Sequence, residues 1–306
     1  MSDIKSRRQI SLIMVTYNSY PFFEDALNLL QRHIVDIDIE YIIVDNKSPD
    51  KETHKCLDDL KAQNNPLMKV VKLDNNSGYS TAMNIGVNYA SFDTILTFDN
   101  DVFVDADANA YFVEMYDLLQ KNLDYGLISP LFNKEDGTPD INYFIKFNIY
   151  TMLYERFSRI FSDKSKYDSL DKLSEQPKDD NGCIGVRFVA GQFFLMRKSV
   201  YFNIVKGWDT RYFLGVSDTD VCETLNFYGL KNVIYPKANL VHGGSKSNNR
   251  APFIVTFENY KTFAQYILKW NIFPFVRTVL YRILFSLPAY LEMQFRKVNN
   301  NKNVSD

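Results

Sequence analysis

The sequence predicts an α/β fold, a doubly wound, mostly parallel sheet flanked by helices and followed by a C-terminal helical tail. Three observations predict it. Short, β-branched, continuously apolar runs recur, as in strands buried on both faces of a parallel sheet. Segments with apolar residues at helical spacing alternate with them. Each of the leading runs ends in a polar cluster, where ligands bind in such sheets.

Residues 10–16 (ISLIMVT) form the first expected strand. A helix over 21–33 follows, with Phe22, Phe23, Ala26, Leu27 and Leu30 on one face. Then come a strand at 41–45 (YIIVD), a helix at 51–63, a strand at 69–73, a helix at 79–91 and a strand at 94–98 (TILTF). Beyond residue 105 the spacing predicts a helix at 108–122, a strand at 126–131 and a turn over 133–140 (NKEDGTPD). Residues 143–161 are apolar with scattered cations, and the polar stretch 162–183 reads as a mobile loop. A strand is expected at 186–197, a helix at 219–229 and a short strand at 232–235. Residues 252–296 read as helices broken near Pro274 and Pro288. The division expected is a nucleotide-binding half (1–105), an acceptor-binding and catalytic half (106–250), and a C-terminal helical segment (251–306) for membrane association.

Composition narrows the function. With 46% hydrophobic and 24% charged residues, the 306-residue chain is neither disordered nor unusually polar. A net charge of −2 argues against a general nucleic-acid binder. The average hides an asymmetry: residues 246–302 hold nine Lys/Arg against Glu258 and Glu292. An acidic body thus carries a basic, apolar tail. Three cysteines without CxxC spacing give neither a disulfide framework nor a zinc site and fit a reducing compartment. The run 10–15 is too short for a signal-peptide core, and no apolar stretch is long enough to span a bilayer.

The polar clusters carry the chemistry. Asp99 and Asp101 follow the strand TILTF, and two carboxylates at i and i+2 suit a hard divalent cation shared with a substrate's phosphates. There is no GxGxxG after the first strand and no Walker A pattern, so phosphates would depend on the metal. Asp218 and Asp220 form a second acidic pair at an expected helix start. Either suits a general base, a carboxylate within reach of an acceptor hydroxyl, and both suit the positive end of the helix. His242 precedes Gly243 and Gly244 just past a strand, where an imidazole can complete a metal site or bind diphosphate.

Together these residues resemble the inverting glycosyltransferases of family two, with the GT-A fold, above all the rhamnosyltransferase-like bacterial polysaccharide branch. The resemblance covers roughly residues 9–270. It rests on Val15-Thr16-Tyr17-Asn18, Val44-Asp45-Asn46 with Ser48, Asn76-Ser77-Gly78-Tyr79 with Asn84 and Gly86, Asp99-Asn100-Asp101, Gly191, Gly207-Trp208-Asp209, Asp218-Thr219-Asp220 and His242. It implies that Thr16, Tyr17 and Asn18 line a nucleotide pocket and that Asp45 bonds the base, with Asn46 and Ser48 nearby. Gly78 and Asn84 would shape the pocket wall, and Asp99 would contact the ribose or sugar. Asp101 would hold Mg²⁺ or Mn²⁺, with His242 as a metal or diphosphate ligand, and Asp218 would be the catalytic base. Two positions depart from the family pattern. Ser217 replaces the acid that usually precedes the base, and Thr224 replaces an Arg four residues after Asp220.

The expectation is a hexosyltransferase using a dTDP- or UDP-linked donor and a saccharide acceptor, lipid-linked, in cell-surface polysaccharide synthesis. The tail, with Arg277, Arg282, Arg296 and Lys297 among apolar aromatics, suits a peripheral site on the inner, cytoplasmic face of the membrane. The competing readings are a non-catalytic scaffold of a polysaccharide assembly complex and a nucleotidyltransferase. The latter would want a cationic loop after the first strand, which residues 16–20 lack.

Overall fold

The computed structural model describes residues 7–145, 170–243 and 252–270, with single positions between 279 and 290. Strands β1 (Gln9–Thr16), β2 (Asp38–Asp45), β3 (Met68–Lys72) and β4 (Thr94–Phe98) alternate with helices α1 (Phe22–His33), α2 (Lys51–Ala62) and α3 (Tyr79–Asn88). All four strands run parallel. Alternate side chains of β1 enter two different cores. Ile10, Leu12 and Met14 pack with Phe23, Ala26, Leu27 and Leu30 of α1. Ile13 packs on the other face with Ala82, Met83 and Val87 of α3. This two-sided burial is why the strands read as unbroken apolar runs.

The second half extends the same sheet. It comprises β5 (Val102–Phe103), α4 (Ala108–Lys121), β6 (Tyr125–Lys134), β7 (Pro139–Asp140), β8 (Tyr143–Phe144) and α5 (Leu170–Ser174). Next come β9 (Ile184–Val186), β10 (Phe188–Val189), β11 (Phe193–Arg197) and the short α6 (Lys198–Val200), which runs into a π-turn. Helix α7 (Ser217–Phe227), strand β12 (Lys231–His242) and helix α8 (Pro252–Trp270) follow. The sheet order is β3-β2-β1-β4-β11-β6-β12-β5. Strand β11 is antiparallel to both neighbours, while β6 and β12 are parallel to each other.

Three segments differ from the sequence reading. The single strand expected over 186–197 is three strands, because the chain turns at Ala190, whose N–H donates to the Asn142 carbonyl (2.7 Å). The short strand at 232–235 is twelve residues long. Pro236 interrupts its hydrogen bonding, and a register shift between Tyr235 and Asn239 absorbs the interruption. The loop expected at 162–183 contains α5 and an ordered turn on Asp179. That carboxylate accepts from the N–H groups of Asn181 (2.9 Å) and Cys183 (3.0 Å) and from the Tyr125 hydroxyl. Residues 162–169, the patch at 146–161, Gly244, and the helix breaks at Pro274 and Pro288 lie outside the described residues.

Helix α8 is fastened to the body. Lys269 Nζ reaches Asp220 (2.6 Å) and Asp209 (3.2 Å), and the Trp270 indole donates to Asp220 (2.7 Å). The Thr262 hydroxyl donates to the Leu214 carbonyl (2.9 Å), and Tyr266 and Ile267 are buried.

Candidate active site

The chain winds from β1 through β2 to β3 on one side, then crosses back to place β4 on the other side of β1. A crevice therefore opens at the carboxyl ends of β1 and β4, the usual ligand position in open α/β sheets. Thr16, Asp45 and Asp99 stand at the ends of β1, β2 and β4.

The first wall is a network of loop backbones. Buried Asp45 accepts from the Ser48 N–H (2.9 Å), and the Ser48 hydroxyl accepts from the Asn18 N–H (2.8 Å). Asn18 has φ +56°, a left-handed conformation that an Asn tolerates. Asn46 donates to Asn76 (2.9 Å) and accepts from the Ser77 N–H (2.9 Å), so the β2 and β3 loops are locked together. The buried Thr16 hydroxyl finds no partner among the described residues, and the Tyr17 ring is 43% exposed beside it. Gly78 has φ +82°, and a Cβ there would lie 2.8 Å from the Phe213 carbonyl oxygen. The Tyr79 N–H donates to that same oxygen (2.8 Å) and starts α3.

Asn84 ties α3 to the loop that follows the π-turn. Its amide accepts from the Trp208 N–H (2.8 Å) and the Tyr201 hydroxyl (2.5 Å), and donates to the Trp208 carbonyl (2.8 Å). It fixes the Gly207–Trp208 loop from within α3.

The acidic centre joins β4, β5 and β12. His242 pairs with Val102 across the β5–β12 ladder, and the Gly243 N–H donates to the Asp101 carbonyl (2.7 Å). This brings His242 Nε2 to 3.5 Å from Asp101 Oδ1, both residues being buried. His242 Nδ1 lies 2.7 Å from Asp140 Oδ2. Burial alone would lower the histidine pKa, but bonding to Asp101 and Asp140 outweighs it and pushes the value up to about 10. Asp99 accepts from the Tyr79 hydroxyl, and burial and then Asp101 push its carboxyl up to about 7. The Asp99 N–H donates to the Gln192 carbonyl (3.0 Å), and the preceding Gly191 donates to Asp218, so α7 begins beside the same strand end.

Asp218 itself accepts from the Gly191 N–H (3.1 Å) and the Thr219 N–H (2.8 Å). A Cβ at position 191 would lie 3.2 Å from Asp218 Cβ, so any larger residue there would push on the carboxylate's side chain. The chain enters α7 through Gly215 (φ +76°) and Val216 (φ +49°). A β-branched residue there is strained by roughly 1–3 kcal/mol, and such strain tends to gather at functional sites.

Residues 11–204 match the sequence model of Glycosyl transferase family 2. The chain belongs to that family. Among curated relatives, the poly-beta-1,6-N-acetyl-D-glucosamine synthase of Staphylococcus epidermidis is 28% identical over 134 residues, covering 41% of this chain and 30% of that protein. The Staphylococcus aureus (strain COL) synthase is 30% identical over 108 residues, 35% of this chain and 25% of the relative. The chain thus spans less than a third of these relatives. Among solved structures, GalNAc-T7 with UDP, GalNAc and Mn²⁺ superposes with a TM-score of 0.60 at 15% identity, covering 78% of this chain and 44% of that one. The Pyrobaculum calidifontis mannosyltransferase PcManGT, with GDP-Man and Mn²⁺, gives 0.56 at 16% identity, covering 93% and 72%. S. aureus TarS 1–349 gives 0.54 at 14%, covering 82% and 65%. At such identities the likeness is one of fold, and that fold is GT-A.

For a family 2 chain, the two departures fall in informative places. Ser217 is the buried first residue of α7. The Thr224 hydroxyl turns back onto the Asp220 carbonyl (2.8 Å) within the helix. Asp220 is engaged by Lys269, Trp270 and Tyr212, whereas the Asp218 carboxylate is bonded to the backbone N–H groups of Gly191 and Thr219. The residues present fit a divalent cation, which on binding would displace the Nε2 proton that His242 otherwise shares with Asp101. A carboxylate oxygen and an imidazole nitrogen converge below the crevice, each buried, with a further carboxylate at Asp99. No group of three or more His, Cys, Asp or Glu among the described residues is arranged to hold a metal. The sequence reading missed Asp140 and gave Tyr79 no role, since neither lies next in sequence to the acid or imidazole it touches.

Proposed function

We propose that the protein is a metal-dependent, inverting glycosyltransferase. It moves one sugar from a nucleotide-diphosphate donor, dTDP- or UDP-linked, to a saccharide acceptor borne on a lipid at the cytoplasmic membrane face. The observation that carries the reading is the meeting of Asp99, Asp101, His242 and Asp218 at the β1/β4 crevice, beside the Asp45–Asn46 loop network. The synthase relatives, and neighbours solved with UDP or GDP-Man and Mn²⁺, support a nucleotide-sugar donor used in polysaccharide assembly.

The Asp45 and Asn46 loops seat the nucleoside, with Thr16 and Tyr17 beside it. Asp101 and His242 would hold Mg²⁺ or Mn²⁺, which when bound supplies positive charge for the departing diphosphate. Asp218 takes the proton of the acceptor hydroxyl as its oxygen bonds the anomeric carbon. The bond to the nucleoside diphosphate breaks on the opposite face, so the anomeric configuration inverts. Gly191 and Thr219 hold the Asp218 carboxylate in place.

The test is release of nucleoside diphosphate over a panel of α-linked nucleotide sugars with Mn²⁺, with the sugar product followed by NMR. The β anomer as first product supports the reading. Retention of configuration, or no turnover of any donor with or without acceptor, would contradict it, the latter favouring a scaffold.

A further inference from the structure

We infer that Asp140, which lies outside every motif of the family resemblance, is the positioning residue that orients His242 toward a divalent cation. This rests on the reading of His242 as a metal ligand. The two residues are 102 positions apart and meet through strand β6. On one side of β6, β7 returns Asp140 to pair with Phe132. On the other, β12 pairs Leu240 with the same Phe132 and runs on to His242. The β6–β7 turn is closed by the Gly137 N–H on the Lys134 carbonyl (2.9 Å) and by the Lys134 N–H on the Thr138 carbonyl (2.8 Å). Its length therefore sets where Asp140 falls.

The chemistry fixes the direction. A carboxylate only accepts, so at 2.7 Å from Asp140 Oδ2 it is Nδ1 of His242 that carries a hydrogen. The other ring nitrogen, Nε2, faces Asp101 Oδ1 at 3.5 Å, the outer limit of hydrogen-bond distance. The ring is held edge-on by Phe132 (centroids 6.2 Å apart) and is buried. Asp140 lies on the far side of the imidazole from Asp101, so it orients the ring while Nε2 and Asp101 face a shared space. Metal-binding imidazoles are commonly fixed in this way by a carboxylate on the opposite nitrogen.

The experiment titrates Mn²⁺ onto the full chain at saturating UDP, reading free Mn²⁺ by electron paramagnetic resonance. Wild type is compared with Asp140→Ala, Asp140→Asn and His242→Ala, with metal-free melting as the check on folding. Asp140→Ala should weaken Mn²⁺ about 10–100-fold. Asp140→Asn should recover most of that loss, because its carbonyl still accepts from Nδ1. If His242→Ala weakens Mn²⁺ but Asp140→Ala does not, the positioning role is wrong and the metal reading stands. If His242→Ala leaves Mn²⁺ binding unchanged, the metal reading itself fails. A second measurement needs no variant. The chain has three histidines, so nitrogen NMR with diamagnetic Cd²⁺ can read the ring of His242 directly. A protonated Nδ1 with a metal-bound Nε2 is expected, and the reverse assignment overturns the inference.

Discussion

Two backbone N–H groups, from Gly191 and Thr219, point at the Asp218 carboxylate, yet burial outweighs them and its pKa is raised. A base must be deprotonated to act, so the acid limb of kcat/KM should lie above the ordinary Asp value of about 3.9. A pH–rate profile falling at or below that value would detach Asp218 from the chemistry. Asp218→Asn keeps the shape and removes the base. Nucleotide binding by calorimetry should survive while turnover drops roughly 10²–10⁴-fold. Wild-type turnover in that variant would reduce Asp218 to a residue of the helix start. The raised pKa has a corollary for stability. The charged carboxylate is disfavoured in the fold, so above its unfolded pKa Asp218 costs stability, and the cost is relieved as pH falls. Such a cost is tolerated where activity needs the group.

At the scale of elements, the strands of the first hundred residues were legible because burial on both faces leaves continuous apolar runs ending in polar loops. β1 and β4 carry that signature, and the acids after β4 follow from it. Legibility fell where the chain breaks its own pattern. Pro236 hid most of β12, and the breaks at Arg187 and Ala190–Gln192 split the strand read over 186–197. Asp140 left no local trace, since its only signal is a pairing across β6. Helix α8 was legible as a helix but not as a brace of α7. Its Lys269 binds Asp220, two residues from Asp218 on α7. Lys269→Ala removes the partner of a buried carboxylate and should cost about 1–3 kcal/mol by urea unfolding. A change within experimental error would mean that the Trp270 and Tyr212 bonds alone satisfy Asp220.

At the scale of the whole molecule, no helix of the described residues is long and apolar enough to cross a membrane. Phe227 (74% exposed) and Tyr228 (53% exposed) stand at the end of α7, with Phe227 6.2 Å from Trp270, where the chain leaves α8. Further on, Val279, Ile283 and Tyr290 are exposed, as is Arg282. In our reading this apolar, cationic end meets anionic lipid. The full chain should co-sediment with anionic liposomes and release with salt, since charges are screened beyond about 10 Å at 0.1 M. Truncation after Trp270 keeps α8 and its bonds to Asp220, so it should still bind nucleotide while losing the liposomes. An unfolded truncation and a liposome-indifferent full chain would assign the segment to the core or to an oligomer contact. The central claim, a metal-completed nucleotide site at the β1/β4 crevice, is tested most directly by thermal shift with nucleoside diphosphates, with and without Mn²⁺. A ligand at about 100 times its Kd should stabilise wild type by about 2.7 kcal/mol when Mn²⁺ is present, and the metal-dependent part should vanish in Asp101→Ala. Equal, metal-dependent stabilisation of wild type and Asp101→Ala, or none of wild type by any nucleoside diphosphate, would contradict it.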